Sequence, residues 1–284
     1  MSASLCVRTP SATHTPRTNR HSPPIDSRAR GHTGPQSFET IMQHQIYTCI
    51  AFILFILTMS CGPNNGEDDD NDPAPVCESV PQPSEMEDCV ANDLPTTYFA
   101  RSDLQKLCEN RCSTLQGFSL FSSTPLTESL EFLNGISVIE GGLSVFNTVG
   151  LTSLEGAGNI EVIGTPESAD DLALRISENP DLMNTDGFSS LKRVGGNLRL
   201  SLNENLTDVS GFPELEEIQG ALIIELHAEL TDISGFPKLH TVTDGIVIDG
   251  NGKLSRCKVQ EFVDGIENVG GEVVIRANGP CEEQ

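Results

Sequence analysis

The feature that most constrains the fold is a phrase that the chain repeats after 24 residues. Residues 206–218 read LTDVSGFPELEEI, and residues 230–242 read LTDISGFPKLHTV. The two phrases share their Leu, Thr, Asp, Ser, Gly, Phe and Pro positions, and Val209 in the first is replaced by Ile233 in the second. A fixed period of this size indicates a stacked-repeat protein, because one repeat can bury its apolar side only against its neighbours.

The same interval extends over much of the chain as a short apolar strand followed by a leucine. Seven such strands start at Phe118, Leu143, Leu174, Leu198, Leu222, Ile246 and Val273. Eight residues after each start lie six leucines and one cysteine: Leu126, Leu151, Leu182, Leu206, Leu230, Leu254 and Cys281. A glycine closes four of the repeats, at Gly156, Gly187, Gly211 and Gly235.

These short apolar patches lack the 3.6-residue stripe of an amphipathic helix. We therefore predict an all-β fold, a single-stranded right-handed β-helix (solenoid) of seven coils of about 24 residues. One insertion interrupts the period at residues 165–171. The β-helix domain is predicted to span residues 112–284.

A recurrent polar residue, five places after the strand start, is predicted to line one corner of the stack. An Asn there both donates and accepts, so it can bond the turn backbone of its own coil and of the next. We interpret His227 as a substitute for Asn rather than as a catalyst, and Asp208 and Asp232 as turn residues. We call the set the asparagine ladder: Asn179, Asn203, His227, Asn251 and Asn278.

Both ends of such a stack need a cap, because they would otherwise expose core and strand edges. A Cys-rich cap is predicted at residues 89–111, with a short helix over 102–107. At the other end, residues 257–266 place Val259, Phe262 and Val263 on one helical face.

Six cysteines flank the predicted coils, four before residue 113 and two after residue 256. Disulfides are favoured over a metal site, since no His or second closely spaced Cys pair lies near Cys108 and Cys112. We predict a disulfide between Cys257 and Cys281, which are one repeat apart. The pairing among the other four stays open: Cys77, Cys89, Cys108 and Cys112.

The chain before the cysteines divides into three segments. Residues 1–41 are predicted to be a disordered or wrongly assigned extension, with Met42 as the possible true start. Residues 42–61 contain a short apolar run, IAFILFILTM, that ends just before Ser60, Cys61 and Gly62. This segment is too short for a typical membrane span, and it resembles the signal peptide and lipobox of bacterial lipoproteins.

That resemblance implies a diacylglycerol on Cys61 and a chain exported and anchored at the cell envelope, at a bacterial outer membrane or cell surface. The alternative is an uncleaved short anchor. Residues 62–88 form a predicted acidic flexible tether, because GPNNGEDDDNDPAP cannot bury apolar surface.

Charge limits the kinds of partner. Residues 62–284 carry 12 Lys and Arg against 39 Asp and Glu, a net charge of −27. Nucleic-acid binding needs a cationic footprint, and docking on anionic lipid needs a basic patch, so neither is expected.

The residues of coils four to seven resemble a known family. The segment GGNLRLSLNENLTDVSGFPELEEIQG, and the closing pattern of Asn251, Leu254 and Cys257 followed by Asn278 and Cys281, are similar to the receptor L domain. That family contains the β-helix domains of insulin-type and epidermal-growth-factor-type receptors. The resemblance covers about residues 112–281 and implies ligand binding on a flat sheet face. It does not imply signalling, because the chain has no kinase.

Three kinds of function remain in competition. A polysaccharide-active β-helix enzyme would need clustered carboxylates, and the chain has no nucleophile elbow, H-E-x-x-H motif or phosphate loop. We therefore predict no catalysis, no cofactor and no metal. The competing interpretations are a binding module for a protein or cell-surface glycan and a structural envelope protein without a ligand. We favour binding, because the outward column of the strands mixes cations with aliphatics in its later members: Arg175, Arg199, Ile223, Val247 and Val274.

Overall fold

The computed structural model describes residues 76–281, except 78, 99 and 165–171. These residues belong to one compact unit, residues 68–284. The predictions for residues 1–41, the signal at 42–61, the lipid site Cys61, the first part of the tether and the insertion at 165–171 lie outside the described residues. No helix within the described ranges is long and apolar enough to cross a membrane.

The chain winds through two parallel sheets of eight strands each, and each coil contributes one strand to each sheet. The short-strand sheet contains β1 (Glu87–Ala91), β3 (Cys112–Leu115), β5 (Val138–Ile139), β7 (Val162–Ile163), β9 (Arg193–Val194), β11 (Glu217–Ile218), β13 (Thr241–Val242) and β15 (Asn268–Val269). The long-strand sheet contains β2 (Thr97–Tyr98), β4 (Phe118–Ser122), β6 (Leu143–Thr148), β8 (Leu172–Ser177), β10 (Asn197–Ser201), β12 (Ala221–Glu225), β14 (Gly245–Asp249) and β16 (Glu272–Arg276). The predicted all-β solenoid is therefore confirmed.

Strand register follows the sequence period. Leu198 pairs with Leu174 on one side and with Leu222 on the other, and Leu222 pairs with Ile246. The leucines eight residues after these strand starts are fully buried: Leu182, Leu206, Leu230 and Leu254. Equivalent side chains thus stack in one elongated core.

Aromatic rings extend this stacking along another side of the core. The ring of Phe212 lies parallel to those of Phe188 and Phe236, with centroids 5.5 and 5.1 Å away. Phe212 and Phe236 belong to the repeated GFP phrase, so the phrase places a ring at the same position in these two coils. Each buried ring contributes roughly 2–3 kcal/mol through burial alone.

The structure has one coil more than the seven predicted. Strands β1 and β2 form this first coil, and helix α1 (Arg101–Cys108) follows it. Leu104 and Leu107 of α1 are buried, and the helix is tied by a disulfide between Cys77 and Cys108. A second disulfide joins Cys89 and Cys112, so both pairings that the sequence left open are now defined. A 3₁₀ turn precedes β1 at Pro83–Glu85 and another follows β4 at Glu131–Leu133.

Helix α2 (Arg256–Asp264) replaces one side of the seventh coil. It buries Val259 and Val263, and Phe262 packs against Phe236 with ring centroids 5.7 Å apart. The predicted disulfide between Cys257 and Cys281 is present and ties the start of this helix to the last coil. Closing a loop of this size contributes roughly 3 kcal/mol.

Candidate functional site

The candidate site is the outer face of the long-strand sheet, the face that points away from the core. Arg175, Arg199, Ile223, Val247 and Val274 occupy one register position in successive strands, as the sequence indicated. Ser119 and Ser144 continue this column toward the first coils. The structure therefore brings the five predicted residues together on one flat surface.

One residue of this column departs from the expectation of an exposed strip. Ile223 is only 8% exposed, whereas Val247 and Val274 are half-buried. Ile223 is flanked in register by Arg199 and Val247, and neighbouring side chains on one sheet face stand close enough to cover one another. Among these five residues, the accessible ones are therefore the two arginines and the two valines.

A second outward column was missed in the sequence. Two residues after each member of the first column, the strand again points outward, and the two half-buried rings of Phe121 and Phe146 lie there with centroids 5.0 Å apart. The sequence contained evidence for this second column, because two Phe fall at the same place in adjacent repeats. The remaining members of the second column are polar: Ser177, Ser201, Glu225, Asp249 and Arg276.

Arg175 joins the two columns. Its guanidinium carbon lies 4.7 Å from the centroid of the Phe146 ring, which is a cation–π arrangement. Its Nε donates to Ser177 Oγ at 3.3 Å, and its Nη2 forms an ion pair with Glu178 at 3.2 Å. The guanidinium is therefore held in place above the Phe146 ring.

Arg199 repeats the contacts with a serine and a carboxylate one coil later, with a different acidic partner. Its Nε donates to Ser201 Oγ at 3.3 Å, and its Nη2 pairs with Glu225 in the next strand. Beneath the two arginines, the buried hydroxyl groups of Ser177 and Ser201 bond each other at 2.9 Å. Both arginine side chains are about a quarter exposed, so each presents a fixed positive edge.

The asparagine ladder supports this face from inside the corner. The residue before each ladder position has a positive φ, as in Leu202 and Leu226, and this turn directs the next side chain inward. Asn203 Oδ1 accepts from the backbone N–H of Asn179 at 3.0 Å, and its Nδ2 donates to the Ile176 carbonyl at 3.0 Å. Asn179, Asn251 and Asn278 likewise donate through Nδ2 to a backbone carbonyl of the preceding coil.

His227 occupies its predicted place in the ladder, fully buried. Its Nδ1 lies 3.3 Å from both the backbone nitrogen and the carbonyl oxygen of Asn203, so the tautomer sets whether it accepts from the first or donates to the second. Its Nε2 has no hydrogen-bond partner in the described structure. Burial lowers the pKa of His227 to about 4, and the nearby carbonyl groups of Asn203 and Leu200 oppose only part of that shift. The imidazole is therefore neutral at pH 7 and inaccessible to a substrate.

A groove elsewhere on the solenoid has walls of mixed polar and apolar character. It has a volume of about 490 Å³ and is lined by Asn134, Ser153, Glu155, Asp186 and Ser189, together with backbone of neighbouring turns. Across the described ranges, no group of three or more His, Cys, Asp or Glu is arranged to hold a metal ion.

The fold and face define a class of protein: a parallel β-solenoid that presents one broad, ordered sheet surface. Residues 191–280, which include the last four strands of the long-strand sheet, match the family model described as Receptor L domain. That match covers 90 of the 284 residues, and it agrees with the resemblance to the receptor L domain that the sequence indicated. This family consists of ligand-binding domains that are not enzymes. No curated protein and no solved structure matches the chain.

Proposed function

We propose that this protein is a non-enzymatic binding protein that recognises a protein partner through the outer face of its long-strand sheet. The single observation that carries the proposal is the surface on which Phe121, Phe146, Arg175 and Arg199 are held side by side. Arginine and aromatic residues are enriched at the energetic centres of protein interfaces.

The rigidity of this surface also favours binding. Both guanidinium groups are fixed by contacts within the sheet before any partner arrives, so little side-chain freedom remains to be lost on association. The two cations stand out from a chain with a formal net charge of −24. We expect the partner to carry carboxylates that face Arg175 and Arg199, because a planar guanidinium can donate two parallel hydrogen bonds to one carboxylate.

Removal of the two arginines tests this proposal. Residues 68–284 form one compact unit with its own core and three disulfides, which is the organisation of a domain that folds alone. We expect Arg175→Ser with Arg199→Ser to reduce capture of surface proteins by this immobilised fragment at least tenfold, since interface arginines of this kind each contribute about 1–2 kcal/mol. The measurement is quantitative mass spectrometry of proteins retained from a cell-surface extract.

The matched control removes two other cations. Lys238 and Lys253 are exposed and pair with Glu214 and Glu229, away from the proposed face. The Lys238→Ser and Lys253→Ser double variant changes net charge equally and should retain its partners. Equal capture by all three proteins, or equal loss in both variants, would contradict a specific role for the sheet face. A glycan partner would still be retained after protease treatment of the extract.

We further propose that the binding unit is exported and tethered to the cell envelope through a lipid on Cys61. The proposal is supported by the apolar run before Cys61 and by the polar, acidic segment after it. The wild-type chain, expressed in a bacterium, is expected to incorporate radiolabelled palmitate and to partition into detergent, and Cys61→Ser should abolish both. Cys49→Ser, which changes the cysteine at the start of the apolar run, is the control and should leave labelling unchanged. Labelling that survives Cys61→Ser would reject the anchor.

A further inference from the structure

The two ends of the long-strand sheet differ. The edge strand in the first coil, β2, has two residues, and its Tyr98 is fully buried. The edge strand in the last coil, β16, has five residues and pairs with β14 on one side. In the part of the chain that the structure describes, no strand pairs with the far side of β16.

The apolar side chains of β16 are also incompletely covered. Val273 and Ile275 continue the inward column of Ile246 and Ile248, which are fully buried in the preceding strand. Val273 is nevertheless 40% exposed, and Ile275 is only half-buried. Exposed edge backbone next to apolar side chains is the usual setting for pairing with a strand from another chain.

The sequence of β16 indicates which strand would fit. It reads EVVIR, with an acid at one end and a base at the other. An antiparallel copy centred on Val274 would place Glu272 opposite Arg276 at both ends of the pair. It would also place Val273 opposite Ile275 on the inner side. Opposite charges and apolar pairs directly across an antiparallel ladder each contribute about 0.2–1 kcal/mol.

We propose that two copies of this chain associate through antiparallel pairing of their β16 strands around a two-fold axis at Val274. Such an interface is self-complementary and closed, so it gives a dimer rather than a filament. Arg276 is well placed to take part, because its side chain is 69% exposed even while it donates to Asp249 at 2.9 Å. This proposal is independent of the partner face, since it uses neither Arg175 nor Arg199.

The overall negative charge does not prevent this contact. Charges farther apart than about 8 Å are largely screened at physiological ionic strength, whereas opposed side chains in a strand pair are about 5 Å apart. The two Glu–Arg pairs therefore act at short range, and repulsion between the rest of the two chains is weak.

Oxidative crosslinking tests the register. In the proposed dimer, the two copies of residue 274 have Cβ atoms about 5 Å apart, close to disulfide distance. Val274→Cys in the full chain, extracted in mild detergent and oxidised, should give a covalent dimer on a non-reducing gel that wild type does not give. Val247→Cys lies in the same column, one strand away from the edge, so the two copies of residue 247 would be about 14 Å apart. This variant should stay monomeric on the same gel.

Charge reversal provides a second test that needs no new cysteine. Glu272→Arg or Arg276→Glu, each alone, opposes like charges at both ends of the strand pair. Each should reduce co-purification of two differently tagged copies of the same variant at least tenfold. A Glu272→Arg copy mixed with an Arg276→Glu copy restores both pairs and should recover wild-type capture.

Recovery in the mixture cannot arise from damage to the fold, because each variant contributes its own substitution unchanged. Absence of the Val274→Cys crosslink together with unaltered capture in the charge variants would overturn the proposal. Loss of capture in each variant without recovery in the mixture would overturn the antiparallel register.

Discussion

Gly235→Ala is expected to lower the free energy of unfolding by more than about 4 kcal/mol and to prevent the coils around it from stacking. A Cβ atom built on Gly235 would lie 1.9 Å from the carbonyl oxygen of Val209 and 2.6 Å from the Cα of Ser210. Both are backbone atoms of the preceding coil. No rotamer change can relieve the overlap, so the two coils must separate and expose the core between them.

A matched glycine in the same solenoid should respond in the opposite direction. A Cβ on Gly252 meets no atom within 4 Å. Gly252→Ala should therefore leave the fold intact and raise stability by about 0.4–1 kcal/mol, because alanine reduces the freedom of the unfolded chain. Guanidinium denaturation followed by circular dichroism compares both variants with wild type. A Gly235→Ala protein as stable as Gly252→Ala would mean that the coils are not packed backbone to backbone at this point.

The close contact at Gly235 explains why the repeat in the sequence predicts the fold. Gly211 and Gly235 occupy one position in consecutive coils, and a Cβ on Gly211 would similarly lie 1.8 Å from the Thr185 carbonyl oxygen. The period, the apolar columns and the closing glycines all follow from a single requirement, that equivalent residues touch across coils. Because every coil must satisfy this requirement, the same residue types recur at the same positions of each repeat. The strand register therefore follows from the sequence.

The sequence did not predict the first coil, because equivalent residues pack across this coil through side chains other than the usual aliphatic ones. The first coil buries Ala91 and Tyr98 in place of the usual aliphatic pattern and relies on the disulfide between Cys89 and Cys112. Its strand β1 begins Glu-Asp-Cys, which does not predict an apolar strand. Disulfides and a large aromatic side chain can replace the leucine pattern. Where they do, the periodicity of leucines in the sequence does not predict the extra coil.

The outer face was predictable in outline but not in detail. Alternation along a strand identified Arg175 and Arg199 as outward neighbours, because the register was already fixed. Alternation alone gives no account of how far neighbouring side chains cover Ile223, or of the arginine at 4.7 Å from the Phe146 centroid. Those depend on side-chain conformations, which are set by packing rather than by period.

Replacement of His227 is expected to change how the protein tolerates acid. The pKa of His227 falls from 6.5 to about 4 on folding, chiefly because burial disfavours the charged ring. The unfolded chain therefore binds the proton more readily at this residue, so the contribution of His227 to stability should decline as the pH falls from about 6.5 toward 4 and level off below that. The loss should approach roughly 3 kcal/mol, since each pKa unit corresponds to about 1.4 kcal/mol.

His227→Asn should remove this acid-dependent loss while keeping the corner intact. An Asn at 227 can accept from the Asn203 N–H, which lies 3.3 Å from Nδ1 of the imidazole. It can also donate toward the Leu200 carbonyl, as its neighbours in the ladder donate one coil back. At pH 7 the variant should therefore lie within about 1 kcal/mol of wild type, with a small cavity offsetting the gain of a partner for the donor. Urea denaturation at a series of pH values between about 7 and 4 gives the comparison.

The exposed His240 supplies the control, because His240→Asn removes one imidazole from the surface of the same solenoid. That variant should follow the wild-type curve of stability against pH, whereas His227→Asn should diverge from it progressively below about pH 6. Parallel curves for His227→Asn and wild type would show that the buried ring does not resist protonation, and hence that the ladder corner admits water. A destabilised His227→Asn at pH 7 would instead show that the ring is needed for its volume. The neutral, inward-facing imidazole is thus a structural part of the corner that supports the outer face of the long-strand sheet.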